Sequence, residues 1–179
     1  PHKRTLKYNM RTYDKGLPYS RLDLRRRNVL EGWVDSDFAS DPDTRKSVTG
    51  YVMSFNGAPL SWKAKRQGCV TLSSSEAEFV AASQCAVEVV YLRALLEGVG
   101  LRQEGPTRVW EDNAACIMMS DNPVNRERSR HIDTSIHCVR ELVNDGVLKL
   151  HKVPGTDNVA DALTKSVPYP CLLYTSDAA

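Results

Sequence analysis

Gly-Trp-Val-Asp-Ser-Asp-Phe-Ala-Ser, residues 32–40, is a short β-strand pattern that carries two acids in its middle. Aspartate is uncommon in strands, and a buried carboxylate usually needs a partner charge or a metal ion. Asp35 and Asp37 are two residues apart, so they share one face of the strand. Because Asp35 lies inside an apolar strand, we predict that this acid has a functional role. Asp37 is predicted to be either a fallback metal ligand or a solvated acid at the strand end.

Three later acids occupy comparable positions in the predicted secondary structure. Glu78 lies near the start of a helix, Asp112 ends a strand, and Asp161 lies in a short helix near the end. Taken singly, each has an ordinary explanation: an exposed helix glutamate, a helix N-cap, and an i,i+4 ion pair with Lys165. Their joint order predicts that four acids, Asp35 included, converge on divalent metal ions, which favour carboxylate oxygens.

Length and composition predict one soluble domain with a small extension. The chain has 179 residues, of which 41% are apolar and 26% are charged, which is enough for a packed core. No uninterrupted apolar run approaches the roughly 18–20 residues of a membrane span. The cysteines include no Cys-x-x-Cys pair and no histidine at zinc-ligand spacing, so we expect free thiols, a reducing compartment and no zinc site. They are Cys69, Cys85, Cys116, Cys138 and Cys171.

Charge is distributed unevenly around a net value of +2. Residues 1–31 hold nine Lys/Arg and three Asp/Glu, whereas the remaining 148 residues hold 15 and 19. A basic segment beside an acidic body is typical of a phosphate-binding arm next to a metal site, and an ordinary solvated face is the alternative. The basic segment lacks the pattern of a complete domain, which predicts that it is the trailing part of an upstream one.

Hydrophobic periodicity predicts the element order β-β-β-α-β-α-α-β-α. Short turns join the first three strands, and Asn56-Gly57 is a strong hairpin signal. Ser73-x-x-Glu76 is a capping box that predicts the start of a long helix. A meander followed by α/β crossovers indicates an α/β fold (an α+β mixed sheet), with five strands flanked by helices. The predicted strands are 32–39, 47–55, 59–64 (with an extension to 72 as the alternative), 107–112 and 147–153. The predicted helices are 113–120, 131–144, 157–165 and a long one that starts near Ser74 and ends at Gly98 to Gly100.

Seven short motifs occur in order through this body. They are Val34-Asp35-Ser36-Asp37-Phe38-Ala39, Ser47-Val48-Thr49-Gly50-Tyr51-Val52, Leu60-Ser61-Trp62, Leu72-Ser73-Ser74-Ser75-Glu76-Ala77-Glu78-Phe79, Glu111-Asp112-Asn113, Arg130-His131-Ile132-Asp133 and Val159-Ala160-Asp161-Ala162-Leu163-Thr164-Lys165. Together they resemble the ribonuclease H region of copia-type long-terminal-repeat retrotransposon Pol polyproteins. The resemblance covers about residues 32–166, expected to form a ribonuclease H-like domain. Residues 1–31 resemble the trailing part of the preceding reverse transcriptase or its connector. Residues 167–179 are expected to be a non-domain tail, of which residues 171–179 resemble translated adaptor sequence more than protein.

The resemblance implies a ribonuclease H fold that hydrolyses the RNA strand of RNA–DNA hybrids during reverse transcription, using two Mg²⁺ ions, with Mn²⁺ as the alternative. It implies that the catalytic residues and metal ligands are Asp35, Glu78, Asp112 and Asp161. The implied partners are the hybrid and the upstream reverse transcriptase domain of the same polyprotein, with no membrane. The implied location is a cytoplasmic virus-like particle, with the nucleus as the alternative.

Two other functions are compatible with this fold class. A non-catalytic nucleic-acid-binding connector of a reverse transcriptase would keep the fold and lose its acids freely. An integrase-like strand transferase uses fewer acids, and the position of Glu78 inside the first helix does not suit it. The presence of all four acids therefore favours the nuclease.

Substrate contacts are predicted from residues near the acids. Ser36 and Asn113 are candidates for sensing the 2′-hydroxyl that distinguishes RNA from DNA. Lys63 and Arg66 are candidates for holding phosphates, and ordinary exposed charge is the alternative. Further candidates for phosphate contact are Arg45, Lys46 and Lys65.

One expected residue is missing from the sequence. Relatives of this family carry a mobile histidine in the loop before the last helix, whereas residues 154–158 here read Pro-Gly-Thr-Asp-Asn. His131 or His137 is a candidate substitute, and a helix-surface or core histidine is the alternative for each.

Overall fold

A five-stranded mixed sheet in the order β3-β2-β1-β4-β5 forms the centre of the structure. The structure is a computed structural model that describes residues 28–121 and 130–165 and position 16. The strands are β1 (Leu30–Asp37), β2 (Val48–Phe55), β3 (Ala58–Arg66), β4 (Thr107–Glu111) and β5 (Leu148–Lys152). The helices are α1 (Ser74–Gly98), α2 (Ala114–Asp121), α3 (Arg130–Asn144) and α4 (Asp161–Thr164), with a 3₁₀ turn at Gly155–Asp157. The mixed sheet flanked by helices is confirmed.

The first three strands form an antiparallel meander, whereas β1 is parallel to β4, and β4 is parallel to β5. The β2–β3 turn is the predicted Asn56-Gly57 hairpin, and both residues have positive φ, 55° and 84°, as a type I′ turn requires. Strand β3 ends at Arg66, so the predicted continuation to residue 72 is wrong. The Gln67 side chain donates a hydrogen bond to the carbonyl of Ala77, which ties the segment after β3 to α1.

Helix α1 begins where the capping box predicts. The hydroxyl of Ser73 accepts a hydrogen bond from the Glu76 amide at 3.2 Å, and the Glu76 carboxylate accepts one from the Leu72 amide at 2.8 Å. The helix packs against β1, β2 and α3, so the core lies between one face of the sheet and the helices. Fully buried core residues include Val34, Met53, Phe79, Val89, Val109, Val139 and Leu148.

Helix α4 packs on the other face of the sheet, over β1 and β2. Side chains alternate along a strand, so Tyr51 of β2 points towards α1 while Gly50 lies beneath α4. A Cβ atom on Gly50 would lie 2.6 Å from Cγ2 of Thr164 and 3.1 Å from the carbonyl oxygen of Ala160. Glycine at this position therefore permits the close approach of α4 to the sheet.

The last segment differs from the single helix predicted over 157–165. The 3₁₀ turn and α4 are separate because the side chain of Asn158 bonds to the backbone between them. Its amide group donates to the carbonyl of Val34 at 2.8 Å, and its side-chain oxygen accepts from the amide of Ala160 at 3.2 Å. Local side-chain bonds of this kind compete with helix formation. The same residue fastens the last segment to β1.

Several expectations concern residues outside the described ranges. These are the upstream character of residues 1–27, the basic loop at 124–129, and the tail at 166–179. The division of the chain into domains therefore stays a prediction. The four cysteines within the described ranges are free thiols, as expected.

Gly50→Ala is expected to destabilise the domain by about 1–3 kcal/mol, because the added methyl group overpacks the contact between β2 and α4. Urea denaturation followed by circular dichroism measures the change. Gly68→Ala is the control, since nothing lies within 4 Å of a Cβ atom at Gly68. Equal stability of the two variants would contradict the close packing of α4.

Candidate active site

Asp35 lies near the end of β1, the central strand of the sheet, with 1% of its surface exposed. Its cross-strand neighbour is Gly50, so the residues that follow and end α4 reach its carboxylate. The Thr164 hydroxyl donates to one carboxylate oxygen, and Nζ of Lys165 lies 3.4 Å from the other. Burial raises the pKa of Asp35, although both of these partners favour its charged form.

Glu78 projects from the first turns of α1 into the same region and is 6% exposed. Its Oε2 atom has no hydrogen-bond partner among the described residues. Burial raises the pKa of Glu78 to about 10, and the negative charges of Glu111, Asp35 and Asp112 add to the effect. A buried carboxylate in this setting needs a proton or a cation to balance it.

Asp112 follows β4 and is not the N-cap of the next helix. Asn113 has that role, because its side-chain oxygen accepts hydrogen bonds from the amides of Ala115 and Cys116 at 2.9 and 3.1 Å. One carboxylate oxygen each from Asp112 and the two acids described above lie within 4.8 Å of one another. Elements that are far apart in the sequence therefore bring three of the four predicted acids into one cluster.

The fourth predicted acid, Asp161, is linked to this cluster through a lysine. Nζ of Lys165 lies 2.7 Å from Oδ1 of Asp161 and 3.4 Å from Oδ1 of Asp35. The ordinary i,i+4 ion pair considered for Asp161 therefore forms, and the same ammonium group also contacts the cluster. Asp37, the fallback ligand, is not a member of the three-acid group found among the described residues.

Glu111 is a fifth acid that the sequence argument overlooked. It is completely buried, its Oε1 accepts from the Asn113 amide at 2.9 Å, and its Oε2 has no partner among the described residues. Burial raises the pKa of Glu111 to about 8, and the charge of Asp112 adds to the increase. The two-residue alternation of Thr107, Val109 and Glu111 in the sequence indicates that they share one face of β4. In the structure all three are buried.

The donor set of this cluster fits a divalent cation. Three carboxylate oxygens lie close enough to share an ion, and Glu78 contributes a buried oxygen that no described protein group satisfies. Oxygen-only ligands of this kind are preferred by Mg²⁺ and Mn²⁺. Asp35, Glu78 and Asp112 would hold such an ion, with Asp161 adjacent through Lys165. The identity and number of ions stay predictions.

The residues predicted to contact the substrate differ in burial and in the groups that they contact. Ser36 is buried, and its hydroxyl has no hydrogen-bond partner among the described residues. The register places Lys63 opposite Tyr51, on the α1 side of the sheet, with its ammonium group 5.9 Å from the ring centre. Arg66 pairs with Asp41. Their roles, and that of Asn113, stay predictions.

The two candidate substitute histidines are only partly described. His137 is exposed on α3, with Nε2 located 3.7 Å from Oδ1 of Asp133 one turn earlier. This geometry is that of a surface side chain. The side chain of His131 lies outside the described residues.

Solved structures with this architecture include RNase H1 proteins and a viral protease-reverse transcriptase. RNase H1 from Halobacterium salinarum has a TM-score of 0.55 and 14% identity, and the match covers 75% of this chain and 92% of that one. LC11-RNase H1 in complex with RNA/DNA hybrid has a TM-score of 0.56 and 14% identity, covering 80% and 99%. The foamy viral protease-reverse transcriptase in complex with RNA/DNA hybrid has a TM-score of 0.57 and 14% identity, covering 84% and 21%. The chain therefore has a ribonuclease H-like fold.

Sequence relatives identify the family. A Pol polyprotein from transposon TNT 1-94 of Nicotiana tabacum is 42% identical over 140 residues, which cover 78% of this chain. The Pol polyprotein from transposon RE1 of Arabidopsis thaliana is 33% identical over 166 residues, which cover 92%. The chain spans only 10% and 11% of these two relatives, and no protein-family model matches it. It belongs to the retrovirus-related Pol polyproteins of copia-type transposons, as its motifs predict.

Glu111→Gln is expected to reduce the pH dependence of stability in EDTA. The pKa of Glu111 rises from 4.5 to about 8 on folding, so the folded state binds more protons than the unfolded state between these values. The stability that protonated Glu111 contributes to the folded state is therefore fully present below pH 4.5 and is lost as the pH rises towards 8. Glutamine imitates the protonated side chain and should raise the free energy of unfolding at pH 8 by at least about 1 kcal/mol.

Thermal unfolding at pH 5, 6.5 and 8 measures this effect. Glu104→Gln, at an exposed position, is the control and should follow the wild-type pH dependence. A Glu111→Gln curve parallel to that of the wild type would show that Glu111 is already charged in the folded protein.

Lys165→Met is expected to tighten Mn²⁺ binding by about fivefold, because it removes a positive charge that competes for Asp35 and Asp161. Isothermal titration calorimetry measures the affinity. Lys149→Met replaces an exposed lysine on β5 and is the control. Unchanged or weaker binding in Lys165→Met would mean that the ammonium group does not compete with the ion.

Proposed function

We propose that this chain is a metal-dependent ribonuclease H domain that hydrolyses the RNA strand of RNA–DNA hybrids during retrotransposon reverse transcription. The observation that carries the proposal is the convergence of Asp35, Glu78 and Asp112 within 4.8 Å, with Asp161 beside them. Membership of a Pol polyprotein family supports it. Two solved proteins of the same fold are described in complex with RNA/DNA hybrid, which supports the choice of substrate.

The chain's own residues prepare a rigid, negatively charged recess. Asp35 is fixed by the sheet and by the Thr164 hydroxyl, while Glu78 is fixed by the core side of α1. Because burial removes water from these carboxylates, their interaction with a cation is stronger than it would be at the surface. Lys165 holds Asp161 next to Asp35 and offsets part of their repulsion.

The reaction assigned to this recess is attack of water on a phosphodiester of the RNA strand. The bond from phosphorus to the 3′ oxygen breaks, which leaves a 3′-hydroxyl and a 5′-phosphate. Two bound divalent ions would supply activation of the water and stabilisation of the leaving oxygen. The acids of this chain are assigned to holding those ions, with Asp35 and Asp112 central and Glu78 and Asp161 completing the set.

Asp35→Asn is expected to reduce cleavage of a labelled RNA–DNA hybrid in Mg²⁺ by at least about 10³-fold, because the central carboxylate of the metal set is lost. Hybrid binding, measured by fluorescence anisotropy, should change less than about threefold. Gel analysis of the labelled RNA strand, with Mg²⁺ and with EDTA, measures the cleavage.

Asp37→Asn is the matched control, since Asp37 is on the same strand and the same face but outside the three-acid group. Its cleavage rate should stay within a few-fold of the wild type. Equal activity of Asp35→Asn and the wild type would refute the proposal. A wild-type chain that binds hybrid without metal-dependent cleavage would support a non-catalytic connector instead.

A further inference from the structure

The second half of α1 exposes a continuous apolar face. We call it the α1 apolar face, and it consists of Val87, Val90, Tyr91, Ala94 and Leu95. These positions recur at steps of three and four, so they lie on one side of the helix. The exposed fractions are 62% for Val87, 43% for Val90, 61% for Tyr91 and 50% for Leu95.

Two exposed apolar residues follow the helix. Val99 and Leu101, in the loop after α1, are 67% and 39% exposed. Single exposed apolar residues are normal on soluble proteins, but a contiguous apolar patch marks an interaction surface. Burial differs between the two halves of α1. Residues 77–82 are all buried, whereas the later turns bury only the side that faces the sheet.

The chemistry of the face favours a protein partner. None of its five side chains carries a charge, so it lacks the cations that bind a phosphate backbone. Helix α1 is long and apolar enough to cross a membrane, but half of its apolar window is buried inside the domain. Its other side packs on the sheet and carries Glu78, which is incompatible with a lipid environment on all sides.

Asn28, where the described range 28–121 begins, is hydrogen-bonded to the loop that follows α1. The Asn28 amide group donates to the carbonyl of Arg102 at 2.7 Å, and Gln103 donates to the side-chain oxygen of Asn28 at 2.7 Å. Gln103 also accepts a hydrogen bond from the amide of Leu30 at 3.0 Å. The start of the domain is thus fastened to the loop that follows α1. A cavity of about 410 Å³ lies there, lined by residues 28–30 and 103–108.

We propose that the α1 apolar face and this cavity form the interface with the reverse transcriptase part of the same polyprotein. Asn28, where the described range 28–121 begins, is bonded to the loop directly after α1, and the relatives are about eight times as long as this chain. An uncharged apolar face suits a permanent contact within one chain. The inference rests on the proposed place of this domain in a polyprotein with a reverse transcriptase, but not on its catalytic activity.

Hydrogen–deuterium exchange tests the proposal directly. The 179-residue chain is compared with a longer polypeptide that also contains the reverse transcriptase part of the same polyprotein. Amides at 87–101 should exchange at least about tenfold more slowly in the longer polypeptide, because the interface suppresses local opening. Amides of α2 around Met118, which is 65% exposed, are the internal control and should not change.

A triple variant, Val87→Gln with Tyr91→Gln and Leu95→Gln, should lose this protection. Glutamine keeps helix propensity close to that of leucine, and all three side chains are exposed, so hybrid cleavage by the 179-residue chain should stay within about twofold. Met118→Gln is the matched control and should keep the protection. If the triple variant does not fold, the comparison of the two wild-type polypeptides decides the question.

Two results would overturn the proposal. Equal exchange at 87–101 in both polypeptides would show that the face stays uncovered. Concentration-dependent protection in the 179-residue chain, with a dimer in sedimentation, would assign the face to a second copy instead. Absence of hybrid cleavage by the wild-type chain would refute the proposed function but leave the exchange result unaffected.

Discussion

Repulsion between carboxylates at one end of the sheet is the constraint on which the structure of the site depends. Like charges in a low-dielectric setting repel strongly, and removing them from water adds a further cost. The fold offsets this with a few directed contacts: the Thr164 hydroxyl on Asp35, the Asn113 amide on Glu111, and the Lys165 ammonium group between two aspartates. These contacts do not balance the charge completely, so the recess favours protons or cations.

The scaffold makes this concentration of charge possible because the acids lie on or next to regular elements. The central strand β1 has hydrogen-bonded neighbours on both sides, and α1 is anchored at its first turn by a complete cap. Asn113 caps α2, which leaves the carboxylate of Asp112 available to the cluster. Rigid elements hold side chains more accurately than loops do, so the recess is shaped before any ligand arrives.

Much of this arrangement could be predicted from the sequence, and the failures have physical causes. Periodicity and turn signals identified the sheet and the long helix, because Asn56-Gly57 and the capping box are strong local signals. Glu111 was overlooked because a single acid at the end of a strand has several ordinary explanations, although its alternation with Val109 indicated burial. The break in the last helix depends on the bond from Asn158 to Val34, which lies 124 residues away. Local patterns contain no information about such a contact.

That long-range bond also sets the order in which the recess can form during synthesis. Asp35 is translated before Thr164 and Lys165, the residues that contact it from the other face of the sheet and lie about 130 positions later. Contacts of such large sequence separation close late, after the loop entropy has been overcome. Until Thr164 and Lys165 have been translated, a nascent chain therefore lacks the contacts that hold Asp35 from this face of the sheet.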